Sequence, residues 1–227
     1  LSKNKYILAI DTTGSVLSVS LGKYTQDNDP SSIQLLADLA INKGNSHDEM
    51  LADSVSTLMS LWSIEIGDLA AVLVSNGPGA FTGLRIGLSF AKGLAMPFEI
   101  PLYTFDTLEA ARYSVSYRYH DWDNMPLIIR RSHADNYYAN IDGQTCYLNF
   151  KQLKEKIGIL SQDSDVNILS EEPIPDMKSE IISFRANNLL NAFKYGNDSN
   201  YSISQAGIDA VPNYKQAFIP TTSNKKV

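Results

Sequence analysis

The stretch VSNGPGAFTGLRIGLSFAKGLA, from Val74 to Ala95, constrains this chain more than any other. An apolar, strand-like run stops at Asn76, a Gly77-Pro78-Gly79 turn follows, and a helix rich in small residues begins near Thr82. Many proteins hold phosphate with a strand, a glycine loop and a helix, because the N–H groups at a helix N-terminus favour an anion. Two common phosphate signatures are not met. A G-x-G-x-x-G fingerprint needs its third glycine where the chain has Thr82, and Gly83 comes one place late. A P-loop counted from Gly77 needs glycine, lysine and a hydroxyl at Thr82, Gly83 and Leu84, and Lys92 lies far along the helix. The loop therefore reads as a tight turn whose glycines supply positive φ and let backbones approach closely. An anion at the helix N-terminus stays open as the other reading.

The helix after the loop adds a second constraint. Gly83, Gly87, Ala91 and Ala95 recur every four residues and make one smooth stripe. Leu84, Ile86, Leu88, Phe90 and Leu94 fill the rest of the circumference, and a helix apolar on nearly every side is buried on nearly every side. One face meets the chain's own sheet; the other meets another helix of the chain or another chain. A preceding helix is expected from Ser46 to Trp62. It has Ser46 as N-cap, Glu49 in capping-box position, and a stripe of Leu51, Val55, Leu58 and Trp62. The smooth face of the glycine helix is taken, with this helix, as a docking surface. An apolar helix pair left open at a surface marks an interface, so the isolated chain is expected to pair as a two-fold dimer.

Along the chain the pattern occurs twice. KYILAIDTTGSVLSVSLGKY reads as a hairpin: Tyr6 to Ile10 form a strand buried on both faces, Asp11 to Ser15 the turn, and Leu17, Val19 and Leu21 one face of the return. A further strand is expected over Ile33 to Ile41, and another at LAAVLVSN before the glycine loop. Pro97 and Pro101 close the glycine helix, and a helix is expected from Thr104 to Tyr119. PLIIRRSHADNYYANIDGQTCYLNF is a second hairpin with an Asp142-Gly143 turn. Two lobes that each open with a hairpin and continue in β/α alternation imply a duplicated α/β unit. The boundary is placed between Pro101 and Thr104, giving lobes of residues 1–102 and 103–227; a chain of 227 residues is long enough for two such cores. The C-terminal end is polar and expected to fray.

Several classes of chemistry are disfavoured. Cys146 is the only cysteine, which rules out an internal disulfide and a cysteine zinc site and suits a reducing cytoplasm. No apolar run is long enough for a membrane span, and the polar start from Leu1 to Lys5 is unlike a signal peptide. The net charge of −6 is opposite to the basic face that grips nucleic acid. The chain has three histidines. A His-x-x-x-His site is missing, since His47, His120 and His133 are followed at that offset by Leu51, Asn124 and Tyr137. No Ser-His-Asp or Cys-His pair can be assembled from spacing. Asp11 reads as the residue that caps its own hairpin turn.

ILAIDTTGSVLSVSL, followed by SNGPGAFTGLRIGLSFAKGLA, is very similar to the TsaB (YeaZ) family. From Gly77 to Gly87 only Ala80 departs from the family motif, where serine is usual. The helix with His47 and the VPNY segment near the end fall in family order. The resemblance is strong before Leu102 and weak after it. It implies the fold of the actin, hexokinase and Hsp70 group, as two ribonuclease-H-like lobes. It also implies a non-catalytic role without cofactor or metal: partner of a TsaD-like enzyme which, with a TsaE-like ATPase, attaches threonylcarbamoyl to the adenosine beside the anticodon of certain tRNAs. The donor is an adenylate made by another enzyme, and tRNA is reached only through the complex. The resemblance assigns the first-lobe helices to the partner, which would compete with self-pairing. The residues are Met50, Leu51, Ser54, Val55 and Leu58, with Gly83, Gly87, Phe90, Ala91 and Leu94. The motif loop comprises Gly77, Pro78, Gly79, Phe81, Thr82 and Arg85, and the hairpin turn Asp11, Thr12 and Thr13. Asp11 falls where nucleotide-binding relatives of the fold place a magnesium-associated carboxylate.

One departure stands out. Family members often carry an Asp-Ala-Arg-like segment before the turn of the second hairpin; here Arg130, Arg131 and His133 replace the acidic start. They read as a solvated turn, with a small basic spot facing tRNA or the ATPase as the alternative. Two other functions stay open: an ATP-dependent kinase or carbamoyl transferase of the same fold group, motivated by the loop and Asp11, and a stand-alone tRNA-binding module, which the charge opposes.

Overall fold

The computed structural model describes residues 5–26, 29–43, 47–116, 125–141, 143–162, 166–196, 201–204 and 209–213. Ser46, His120, Asn124, Asp142, Tyr214, the first four residues and the polar C-terminal end lie outside them. In chain order the elements are β1 (Tyr6–Asp11), β2 (Leu17–Tyr24), β3 (Ile33–Ile41), α1 (His47–Leu61), β4 (Leu69–Gly77), α2 (Phe81–Ala95), β5 (Leu102–Asp106) and α3 (Thr107–Val115). There follow β6 (Leu127–Arg131), β7 (Asn136–Ile141), β8 (Gln144–Asn149), α4 (Phe150–Leu160), β9 (Ile168–Ser170), β10 (Glu180–Ile181), α5 (Ala186–Tyr195) and β11 (Tyr201–Ser204).

The strands form two sheets, ordered β11-β5-β4-β1-β2-β3 and β10-β9-β6-β7-β8. In each, three consecutive strands meander antiparallel and two more add in parallel beside the first of the three. Leaving β11 aside, β3-β2-β1-β4-β5 and β8-β7-β6-β9-β10 are the same topology. This is the duplication expected from the two hairpins, and it is the two-lobe ribonuclease-H-like arrangement of the actin and hexokinase group.

Strand alternation stacks these sheets into layers. Leu8, Ile10, Val72 and Val74 pack with Leu51, Val55, Leu88 and Ala91 of α1 and α2. Ile7, Ala9, Ala71 and Leu73 turn the other way, onto Leu189, Leu190 and Phe193 of α5. In the second sheet Leu127, Ile129, Tyr137 and Ala139 meet Leu153 of α4, while Ile128, Tyr138 and Leu169 meet Leu108, Ala111 and Val115 of α3. Helices α3 and α5 thus lie between the sheets, each covering the sheet of the other half. Each Val, Leu, Ile or Phe side chain fully removed from water on these faces contributes roughly 1.5–3 kcal/mol.

Two expectations are corrected. Thr104 to Asp106 is strand, not helix: β5 pairs in parallel with β4, Val74 opposite Thr104. The helix starts at Thr107 because the Asp106 carboxylate accepts from the N–H groups of Leu108 and Glu109. The lobe boundary at residue 102 also shifts, since β5 belongs to the first sheet and α5 and β11 return to it. Among the described residues no helix is long and apolar enough to cross a membrane.

Candidate functional site

The expected site is where the turn after β1 meets the loop after β4. Asp11 is buried, and its carboxylate is engaged by its own chain. Oδ1 accepts from the Thr13 N–H and the Thr13 hydroxyl, both at 2.8 Å, and Oδ2 accepts from the Ser75 hydroxyl at 2.7 Å. The bond to the Thr13 N–H, two residues on, is the self-capped turn read from Asp-Thr-Thr-Gly. Ser75 reaches in from β4, the strand parallel to β1.

The glycine loop docks on this turn. The Ala80 N–H donates to the Thr13 carbonyl at 2.8 Å, and the Thr12 hydroxyl donates to the Gly83 carbonyl at 2.7 Å. Gly77 has φ +118°, and a Cβ there would lie 2.7 Å from the Asn213 carbonyl oxygen. A Cβ on Gly79 would lie 2.6 Å from the Thr13 carbonyl oxygen. The Asn213 N–H donates to the Asn76 carbonyl at 2.7 Å, so the VPN segment is tied to the end of β4. The glycines therefore serve a turn and a close backbone approach, the first of the two readings of the loop. Gly77 and Pro78 are buried and Gly79 half-buried. Phe81, Thr82 and Arg85 are exposed, with the Arg85 guanidinium 5.5 Å from the Phe81 ring centre.

The small-residue row also faces inward. A Cβ on Gly83 would collide with the Thr12 carbonyl oxygen, and one on Gly87 with the Thr12 hydroxyl. Ala91 and Ala95 are fully buried in the first-lobe core. On α1, Leu51, Val55 and Leu58 are buried in the same core, and the buried Ser54 hydroxyl donates to the Met50 carbonyl. Leu51, Ser54, Val55, Leu58, Gly83, Gly87 and Ala91, read from the sequence as facing a partner, pack against other parts of the chain itself. Met50, Phe90 and Leu94 keep part of their surface open, and among the described residues nothing lies within 4 Å of a Cβ on Gly93.

Arg130 lies in β6 and not in a solvated turn. It is 3% exposed and points between the lobes. Its Nη1 donates to the Thr13 hydroxyl at 2.8 Å and to the Pro78 carbonyl at 3.1 Å. Its Nε pairs with Glu171 at 3.0 Å. Arg131 at the end of β6 and His133 on the turn after it are exposed, Arg131 donating to the Ala134 carbonyl and lying 3.6 Å from Glu172. His47 at the start of α1 is buried, with Nε2 3.0 Å from the Gly14 carbonyl oxygen, so this ring joins the helix to the hairpin turn. Sequence analysis named none of Ser75, Glu171 and Asn213 as a site residue, although Ser75 opens the SNGPG motif and Asn213 lies in the VPNY segment. Each acts through a residue distant in the chain, and Glu171 sits in no local pattern that gives it away.

The fold and the site define a two-lobed protein of the actin and hexokinase type, with its inter-lobe turn and loop bonded to each other. Residues 39–149 match the family model TsaD, described as tRNA N6-adenosine threonylcarbamoyltransferase. A Bacillus subtilis (strain 168) protein named tRNA threonylcarbamoyladenosine biosynthesis protein TsaB is 31% identical over 103 residues, 45% of this chain and 42% of that protein. The Escherichia coli (strain K12) protein of the same name is 32% identical over 102 residues, 45% of this chain and 40% of that one. The matches thus span less than half the length of these curated relatives. The solved YeaZ of Pseudomonas aeruginosa superposes with a TM-score of 0.62 at 18% identity, covering 92% of this chain and 99% of that one. A second Pseudomonas aeruginosa structure, an uncharacterized protein similar to peptidase YEAZ, gives a TM-score of 0.68 at 19% identity, covering 93% and 100%. These two show the fold. The chain is thus similar to the TsaB (YeaZ) proteins in the sequence of about half its length and in fold over nearly all of it.

Proposed function

We propose that this chain is a non-catalytic subunit in the formation of N6-threonylcarbamoyladenosine at the adenosine next to the tRNA anticodon. It acts as scaffold and partner of a TsaD-like enzyme, together with a TsaE-like ATPase, in the cytoplasm, and it meets tRNA only within that complex. The names of its curated relatives support the pathway. One observation carries the non-catalytic part. The groups that a nucleotide would need in the first lobe, the Asp11 carboxylate and the glycine loop, are bonded to Thr13, Ser75 and Arg130 of the same chain.

The partner face in this reading is the outer side of the α1–α2 pair, where Met50, Phe90 and Leu94 keep open surface. The same face would join two copies when the partner is absent, so the two pairings compete. Mixing the chain with the TsaD-like enzyme of its own organism should give a one-to-one complex by light scattering, with loss of any self-paired species. Two components that elute separately at micromolar concentration would refute the role. The enzyme reading is kept because the matching family model is described as an enzyme. Calorimetry with Mg-ATP separates the two: little heat is expected, and low-micromolar binding by the isolated chain favours the enzyme.

A further inference from the structure

Arg130 projects from β6 into the gap where the first-lobe turn and loop meet the second lobe. Its surroundings are furnished for a planar cation. Glu171 presents both carboxylate oxygens to the fork, Oε2 at 3.0 Å from Nε and Oε1 at 3.4 Å from Nη2. The Thr13 hydroxyl and the Pro78 carbonyl accept from Nη1. The ring of Phe184, itself buried, lies under the guanidinium with its centre 4.8 Å from Cζ. Two of these partners, Thr13 and Pro78, come from the first lobe and two, Glu171 and Phe184, from the second. A Cβ on Gly14 would collide with Nη2, so the absence of a side chain there leaves room for the fork. The Thr13 hydroxyl that accepts from Arg130 also donates to Asp11, whose carboxylate binds Ser75; the cation is thereby linked to a buried anion through one hydroxyl.

A carboxylate meeting a guanidinium edge-on, neutral acceptors at its end and an aromatic face below are the features by which proteins bind guanidinium ligands. Two-lobed proteins close around ligands held between their lobes. We infer that the space between the lobes is a guanidinium site that Arg130 occupies from within. This occupancy clamps the 11–14 turn, the 77–80 loop and the second sheet into one body. The ligand of the gap is the chain's own side chain, and a guanidinium cation from solution takes its place only when that side chain is removed.

Arg130→Ala in the full chain tests this by melting, with and without millimolar methylguanidinium. Loss of one partner from a buried charge pair should lower Tm by roughly 6–20 °C in a chain of this size. Methylguanidinium should then raise the variant's Tm, by about 3–6 °C at ten times its Kd, while at the same millimolar concentration it leaves that of the unchanged protein where it was. Adding Glu171→Gln to the variant should abolish the rise. The same response in both proteins, or a rise that survives Glu171→Gln, overturns the site. Should Arg130→Ala not fold, Glu171→Gln alone is the test, since Glu171 is half-buried and glutamine keeps its size. Faster hydrogen exchange at the Ala80 amide, which bonds the Thr13 carbonyl across the clamp, is expected. Unchanged exchange there overturns it.

Discussion

Asp11 and Arg130 are both buried charges, held by bonds of very different reach along the chain. The turn bond of Asp11 reaches two residues along the chain, so the local pattern Asp-Thr-Thr-Gly contains it. Arg130 binds Thr13 and Pro78, 117 and 52 residues away, and nothing near it in the sequence marks it as buried. Its neighbours Arg131 and His133 are exposed, so three adjacent basic positions looked alike while only one points inward. A different buried group sets a pH limit. The half-buried phenol of Tyr24 has its pKa pushed up to about 12, first by burial and then by the neighbouring Tyr103 and Asp29. In the unfolded chain it titrates near the ordinary 10.0. Between those values the unfolded chain releases a proton that the folded chain keeps, so stability falls as pH rises through the window. Denaturant melts from pH 9 upward should show this fall, and Tyr24→Phe should flatten it. Identical curves for the two proteins would remove Tyr24 as the cause.

At the scale of elements, α2 shows what periodicity carries and what it leaves open. The four-residue spacing of Gly83, Gly87, Ala91 and Ala95 reads as a close-approach stripe. It is one, but the approaching group is the turn at Thr12 and the first-lobe core rather than a second protein. A helix wheel gives the stripe and not its occupant, since chain turns and partner helices favour the same small residues. The β5 strand was hidden for a related reason. Its five residues run without a break into the helix signal of α3, and only pairing with β4 and β11 makes them a strand. The two glycine types on α2 should therefore behave oppositely. Gly83→Ala forces a methyl against a backbone carbonyl and should cost at least the ~1–3 kcal/mol of an overpacked core, lowering Tm by several degrees. Gly93→Arg places its side chain in open space, so the fold should hold while affinity for the TsaD-like enzyme drops tenfold or more. A Gly93→Arg chain that binds its partner normally would move the partner face away from α2. A Gly83→Ala chain that melts unchanged would contradict the packing of Thr12 on the helix.

For the whole molecule, the twofold repeat of hairpin and β/α alternation was enough to call two lobes of one topology, and both sheets have it. The crossing of α3 and α5 was not legible, because which sheet a helix covers depends on where the chain goes after the strand, not on the helix's own pattern. Charge is a property at this scale. With a net charge of −6, the isolated chain should bind tRNA weakly and with a shallow salt dependence, as gel shifts at 50 and 200 mM salt would reveal. Tight, steeply salt-dependent binding would revive the stand-alone tRNA-binding reading.

The most direct measurement of the proposed role is the yield of N6-threonylcarbamoyladenosine in a reconstituted mixture. The mixture holds tRNA, the threonylcarbamoyl adenylate donor, the TsaD-like enzyme, the TsaE-like ATPase and this chain. Leaving this chain out should abolish product, and this chain with tRNA and donor but neither partner should make none. Product from this chain alone, or an unchanged yield without it, would contradict a required non-catalytic subunit.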